Sequence, residues 1–105
     1  MQVQINHHDS VADRALDVAA TKTRLRERLA RFGERLTRVE LHAKDIDGTT
    51  NGDNGIEVTI EARPAGEAPL AVSERSRTID TAFNGALSTL VERLDRNFGK
   101  ADRVR

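Results

Sequence analysis

Arg24, Arg28, Arg31 and Arg35 recur at a 4-3-4 spacing, which on an α-helix places them along one side. A guanidinium fork grips two phosphate oxygens at once, and a row of such forks releases counterions from a nucleic acid, giving salt-sensitive affinity. Lys22, Arg26 and Arg38 add positive charge nearby, and only Glu27 and Glu34 oppose it. The competing reading is a solvated helix face whose Arg and Glu residues support the helix through i,i+4 pairs. A smaller row, Arg93, Arg96, Lys100 and Arg103, follows a 3-4-3 spacing with Glu92 and Asp95 beside it. Cations near a helix C-terminus also complement the macrodipole without any ligand. Two helices packed side by side would be able to place both rows around one groove.

Other chemistry finds little support. His7-His8-Asp9 is the one cluster that suggests a metal, but adjacent residues at a strand end point in different directions and no second cluster has ligand spacing. His42 falls between Glu40 and Lys44 on the polar side of a strand and is expected to be exposed. The glycines at 48, 52 and 55 fit neither a dinucleotide-binding nor a P-loop spacing. No nucleophile–base constellation is visible, so neither catalysis nor a cofactor is expected. Phe32, Phe83 and Phe98 all fall on apolar helix faces, leaving no aromatic on a sheet to stack bases. Any nucleic-acid binding should therefore read backbone and shape rather than single-stranded bases.

The zero net charge of the 105 residues hides a segregation. Residues 11–38 carry eight Lys/Arg against four Asp/Glu, residues 39–73 two against seven, and residues 74–105 seven against five. A polyanion responds to the local field rather than to the total. The absence of cysteine excludes disulfides, thiol catalysis and cysteine-ligated zinc. The start, Met1-Gln2-Val3-Gln4-Ile5, does not read as a signal peptide, and no apolar run approaches the roughly 20 residues that span a bilayer. A cytoplasmic protein with no membrane and no small-molecule partner is the expectation.

The elements that must position these residues alternate between two periods. Residues 2–6 alternate in polarity like a half-buried strand. Asp9 or Ser10 can cap a helix whose apolar face is Val11, Ala15, Val18, Leu25, Leu29 and Phe32, closed by Gly33. Lys22 interrupts this face, its stem expected on the core and its ammonium in water. The arginine row lies about 100° around from the face, on a flank, with Arg35 near the helix end. Residues 36–45 alternate again, residues 47–55 are dense in turn formers, and Ile56, Val58, Ile60 and Ala62 face inward on a third strand. Pro64-Ala65-Gly66 turns the chain into a short fourth strand, residues 70–73. A second helix from about Thr78 buries Ile79, Phe83, Ala86, Leu87, Leu90, Leu94 and Phe98. Gly85 inside it points to a close approach by a neighbouring backbone, because the apolar period continues in phase across it.

This order predicts an α+β fold, β-α-β-β-β-α, in which a four-stranded, antiparallel-type sheet carries two helices on one face. One domain spans residues 1–98, and a charged tail at 99–105 is expected to fray.

Several stretches resemble the ribosome hibernation-promoting factors, also called ribosome-associated inhibitor A, protein Y or sigma-54 modulation proteins. They are the opening Met1-Gln2-Val3-Gln4-Ile5, the run from Leu29 to Val39, Glu61-Ala62-Arg63-Pro64-Ala65-Gly66, and the run from Ile79 to Leu87. The similarity extends over essentially the whole chain. It implies a fold similar to double-stranded-RNA-binding domains, and a regulator that binds the small ribosomal subunit and its rRNA at the decoding channel. Such a regulator silences ribosomes under stress or in stationary phase. The chain ends at Arg105, so the resemblance implies a short form lacking the C-terminal dimerisation domain of long members. The implied RNA contacts are Arg24, Arg28, Arg31 and Arg35, with Lys22, Arg93, Arg96 and Lys100 secondary. The family's second helix usually carries a Lys-Leu-x-Arg-Gln-like run. Here Thr89-Leu90-Val91-Glu92-Arg93 replaces it, with threonine for lysine and an acid where a base is common. That departure keeps a second reading in view, a divergent paralogue acting as a protein-interaction module with weak or no ribosome binding.

Overall fold

The computed structural model describes residues 1–7, 17–45 and 55–103. Four strands, β1 (Gln2–His7), β2 (Leu36–Asp45), β3 (Ile56–Pro64) and β4 (Leu70–Ser76), form one sheet in the spatial order β1-β2-β3-β4. Two helices, α1 (Val18–Leu29) and α2 (Ile79–Arg103), complete the β-α-β-β-β-α order, with a 3-10 segment (Ala30–Arg35) leading from α1 into β2. The period-2 alternation decides which face is apolar. Val39, Leu41 and Ala43 of β2 lie opposite Ala62, Ile60 and Val58 of β3, and Ile60 lies opposite Val72 of β4. All of these are buried, together with Leu25, Leu29 and Phe32 from the first helical layer and Leu87, Leu90, Leu94 and Phe98 from α2. Both helices therefore cover one face of the sheet, and the other face is polar.

The sheet is mixed rather than antiparallel throughout. β2–β3 and β3–β4 are antiparallel, but β1 runs parallel to β2, pairing Val3 with Val39 and Ile5 with Leu41. The connection from β1 to β2 contains α1, and a crossover of that kind returns the chain in the same direction. One-sided alternation reports burial and is blind to strand direction.

The described first helix begins at Val18. Its cap is Asp17, whose carboxylate accepts the Ala20 N–H at 3.0 Å. The cap expected at Asp9 or Ser10, and the apolar positions Val11 and Ala15, lie outside the described residues. At the other end, regular α-helix stops at Leu29 and Phe32 packs from the 3-10 segment. Gly33 makes the reversal into β2 at φ 52°, ψ −131°, a conformation that L side chains rarely adopt. Its role as a terminator stands, with the 3-10 turns inserted before it.

β4 extends to Ser76 rather than stopping near Ser73. α2 starts one residue after Thr78, whose hydroxyl accepts the Thr81 N–H at 3.2 Å. Gly85 does accommodate a close neighbour, but it is a side chain and not a backbone. A Cβ at this position would lie 3.0 Å from Cγ of Glu74 on β4. The helix also continues through Gly99 to Arg103, past the point at which the sequence pattern suggested a frayed tail.

Candidate nucleic-acid interface

The 4-3-4 spacing resolves into a row of four exposed arginines, Arg24 and Arg28 on α1 and Arg31 and Arg35 on the 3-10 segment. They occupy the flank of the first helical layer that faces α2. Arg24 places its guanidinium 5.9 Å from the ring centroid of Phe83, and Arg35 lies 3.9 Å from that of Phe98, both rings belonging to α2. Arg31 sits 5.0 Å over the ring of Phe32, which is itself 5.5 Å from Phe98. Arg31 also pairs with Asp95 of α2 across the seam between the helices. Arg28 has neither a carboxylate nor an aromatic partner among the described residues and projects into solvent.

Stacking on these rings matters chemically. A ring face attracts a guanidinium through its quadrupole while the N–H edge stays open to oxygen acceptors. Buried Phe83 and Phe98 thus act on the arginines as well as on the core. The helical period marks the three phenylalanines as core residues. Their second role depends on which helix flank α1 presents to α2, and the helical period alone does not contain that.

Of the remaining expected contacts, Lys22, Arg93 and Arg96 do not join this row. Lys22 is half-buried as anticipated, but it precedes Arg24 by two residues and so lies about 200° around α1 from it, on the opposite flank. Arg93 and Arg96 are exposed, yet they line a groove with Glu67, Pro69, Leu70 and Asn97, on the β4 side of α2. The α2 side that meets the arginine row carries Phe83, Asp95 and Phe98 instead. Arg93 and Arg96 therefore border a different surface from the arginine row. The Lys100 side chain and His8 and Asp9 of the histidine cluster lie outside what is described.

The polar face of the sheet is electrostatically closed on itself. Glu57 receives Arg75 Nε at 2.9 Å and Lys44 Nζ at 3.4 Å. The Arg75 hydrogen bond holds the Glu57 carboxyl below its ordinary range, against a burial that pushes it up, and Lys44 adds to the lowering. Glu40 is approached by Arg38 at 3.0 Å, His42 at 3.6 Å and Arg63 at 3.9 Å. Arg38, Lys44, Arg63 and Arg75 on this face each have a carboxylate neighbour, which leaves the α1 flank as the better place for a polyanion to gain contacts. Among the described residues, no group of three His, Asp or Glu side chains has metal-site geometry, and no helix is long and apolar enough to cross a membrane.

No family model matches the chain, and no curated protein matches its sequence. Solved structures do share its fold. The N-terminal domain of protein Y from Thermus thermophilus superposes with a TM-score of 0.62 at 14% identity, over 91% of this chain and 98% of that one. A ribosomal subunit interface protein from Coxiella burnetii superposes with a TM-score of 0.67 at 11% identity, over 94% of this chain and 99% of that one. At such identities the likeness is one of fold, and the α+β arrangement read from the sequence is the arrangement these proteins share.

Proposed function

We propose that the chain is a non-catalytic, ribosome-associated translation regulator acting in the cytoplasm. In this reading it binds small-subunit rRNA at the decoding channel and silences ribosomes under stress or in stationary phase. The observation that carries the reading is the row Arg24, Arg28, Arg31 and Arg35, exposed along one flank, with Arg24, Arg31 and Arg35 oriented by Phe83, Phe32 and Phe98. The fold shared with a protein Y domain and a ribosomal subunit interface protein supports it. Contacts from such a row go to phosphate and fix position without reading bases. Sedimentation of the purified protein with small subunits on sucrose gradients tests the partner, and hydroxyl-radical footprinting of the bound rRNA tests the decoding channel. Protection confined to rRNA elsewhere, or no co-sedimentation at low salt, would remove the proposal.

A second reading, a protein-interaction module, is favoured by one observation. Asp95 occupies Arg31, and Arg93 and Arg96 of α2 turn away from the row. Retention of a protein partner at salt concentrations that strip ribosomes would support that reading.

A further inference from the structure

β4 is an edge of the sheet, so among the described residues its outer backbone N–H and C=O groups have no neighbouring strand. An open groove of about 510 Å³ lies where β4 begins, between the segment entering β4 and the later turns of α2. Arg93 and Arg96 line its helical side, while Pro69 and Leu70 supply apolar surface. Asn97 of α2 donates across it to Glu67 at 3.4 Å. Arg93 has no carboxylate partner among the described residues. Arg96 is held only by Glu92, one turn earlier on the same helix at 3.0 Å, in a pair that is 68% and 70% exposed. Such a pair is screened by water and readily exchanged for another carboxylate.

We propose that this groove docks an extended acidic segment of a partner protein, which adds to β4 as an outer strand. Strand addition satisfies the free backbone edge, and alternate side chains of the added strand fall on the helix side of the sheet. There, carboxylates would meet Arg93 and Arg96. On the other side the facing β4 residues at this end are Ala71 and Ser73, small enough to leave room for β-branched side chains. A nucleic-acid backbone fits less well, because it carries no alternating N–H and C=O groups to pair with the β4 edge. The inference is independent of ribosome binding, since none of these residues belongs to the α1 row.

The test uses the whole chain and a fluorescein-labelled peptide of four Glu-Val repeats, titrated by fluorescence anisotropy, with hydrogen exchange of the β4 amides as the structural readout. Binding with slowed β4 exchange is expected. Arg93→Gln with Arg96→Gln should weaken it by roughly tenfold, the loss of two exposed charge pairs. A Gln-Val peptide should be comparably weak, and Arg28→Gln should leave Glu-Val binding unchanged. Absence of binding, indifference to the double substitution, or unprotected β4 amides would each overturn the proposal. Equal loss of small-subunit association in the Arg93/Arg96 variant and in an α1-row variant would assign these arginines to RNA instead.

Discussion

Asp95→Asn should tighten RNA binding, because Asp95 holds an arginine that the RNA would otherwise take. The Arg31–Asp95 pair is 55% and 50% exposed, so it is well screened and is worth roughly 0.2–1 kcal/mol. A phosphate engaging Arg31 must displace that carboxylate, and then lies close to it. Two like charges about 6 Å apart in water repel by about 0.7 kcal/mol, a value roughly halved at physiological ionic strength. The two contributions sum to about 0.5–1.4 kcal/mol, a roughly two- to tenfold gain in affinity. Releasing Arg31 for one further phosphate should also steepen the log–log salt dependence by about 0.9 in the B-DNA approximation. The assay is a salt series of equilibrium binding to small ribosomal subunits. Repeating it with Asp95→Asn in an Arg31→Gln background separates the release of Arg31 from a general change in charge, and most of the gain should then vanish. An Asp95→Asn protein with unchanged affinity and slope, while Arg28→Gln still weakens binding, would refute the competition between Asp95 and phosphate.

Three further outcomes test the fold that holds this flank. Gly33→Ala should destabilise the chain by about 1–3 kcal/mol in urea unfolding, purely through backbone strain at φ 52°, since open space surrounds the added methyl group. Gly85→Ala should gain little alone, because Cγ of Glu74 stands 3.0 Å from the new Cβ. In a Glu74→Ala background the same change should recover the helix-propensity gain of about 1 kcal/mol. The lowered pKa of Glu57 contributes stability that is present above its unfolded-state value and lost as pH falls through the folded value. Glu57→Gln should therefore melt at a lower temperature near neutrality, and its stability should fall less between neutrality and about pH 3 than that of the parent.

Strand positions were legible because one face of each strand is buried. The run Arg38–Asp45 alternates strictly and folds within β2, while a register shift between Leu36 and Arg38 lets Leu36 join the buried set out of phase. The parallel pairing of β1 with β2 was not legible, since burial patterns carry no direction. The sequence does not single out Asp17 as a cap, because the apolar period runs on both sides of it, and the local backbone at φ −84°, ψ 104° is what marks it as the residue before α1. At the site, the flank position of the arginines follows from about 100° per residue, and the displacement of Lys22 follows from the same arithmetic. The rest depends on tertiary placement. Asp95 and Arg96 are sequence neighbours, yet one meets the arginine row and the other faces the β4 groove. Their contrasting roles emerge only once the side of α2 occupied by α1 is known.

The most direct test of ribosome binding through the arginine row is the salt dependence of small-subunit association, compared between the parent chain and a variant carrying Arg24→Gln, Arg28→Gln and Arg31→Gln. Loss of the Arg24 and Arg28 phosphate contacts, Arg31 being held by Asp95 in the parent, predicts weaker binding at every salt concentration and a log–log slope shallower by about 1.8. Binding of the triple variant with the parent's affinity and slope would contradict the assignment of this row as the RNA contact.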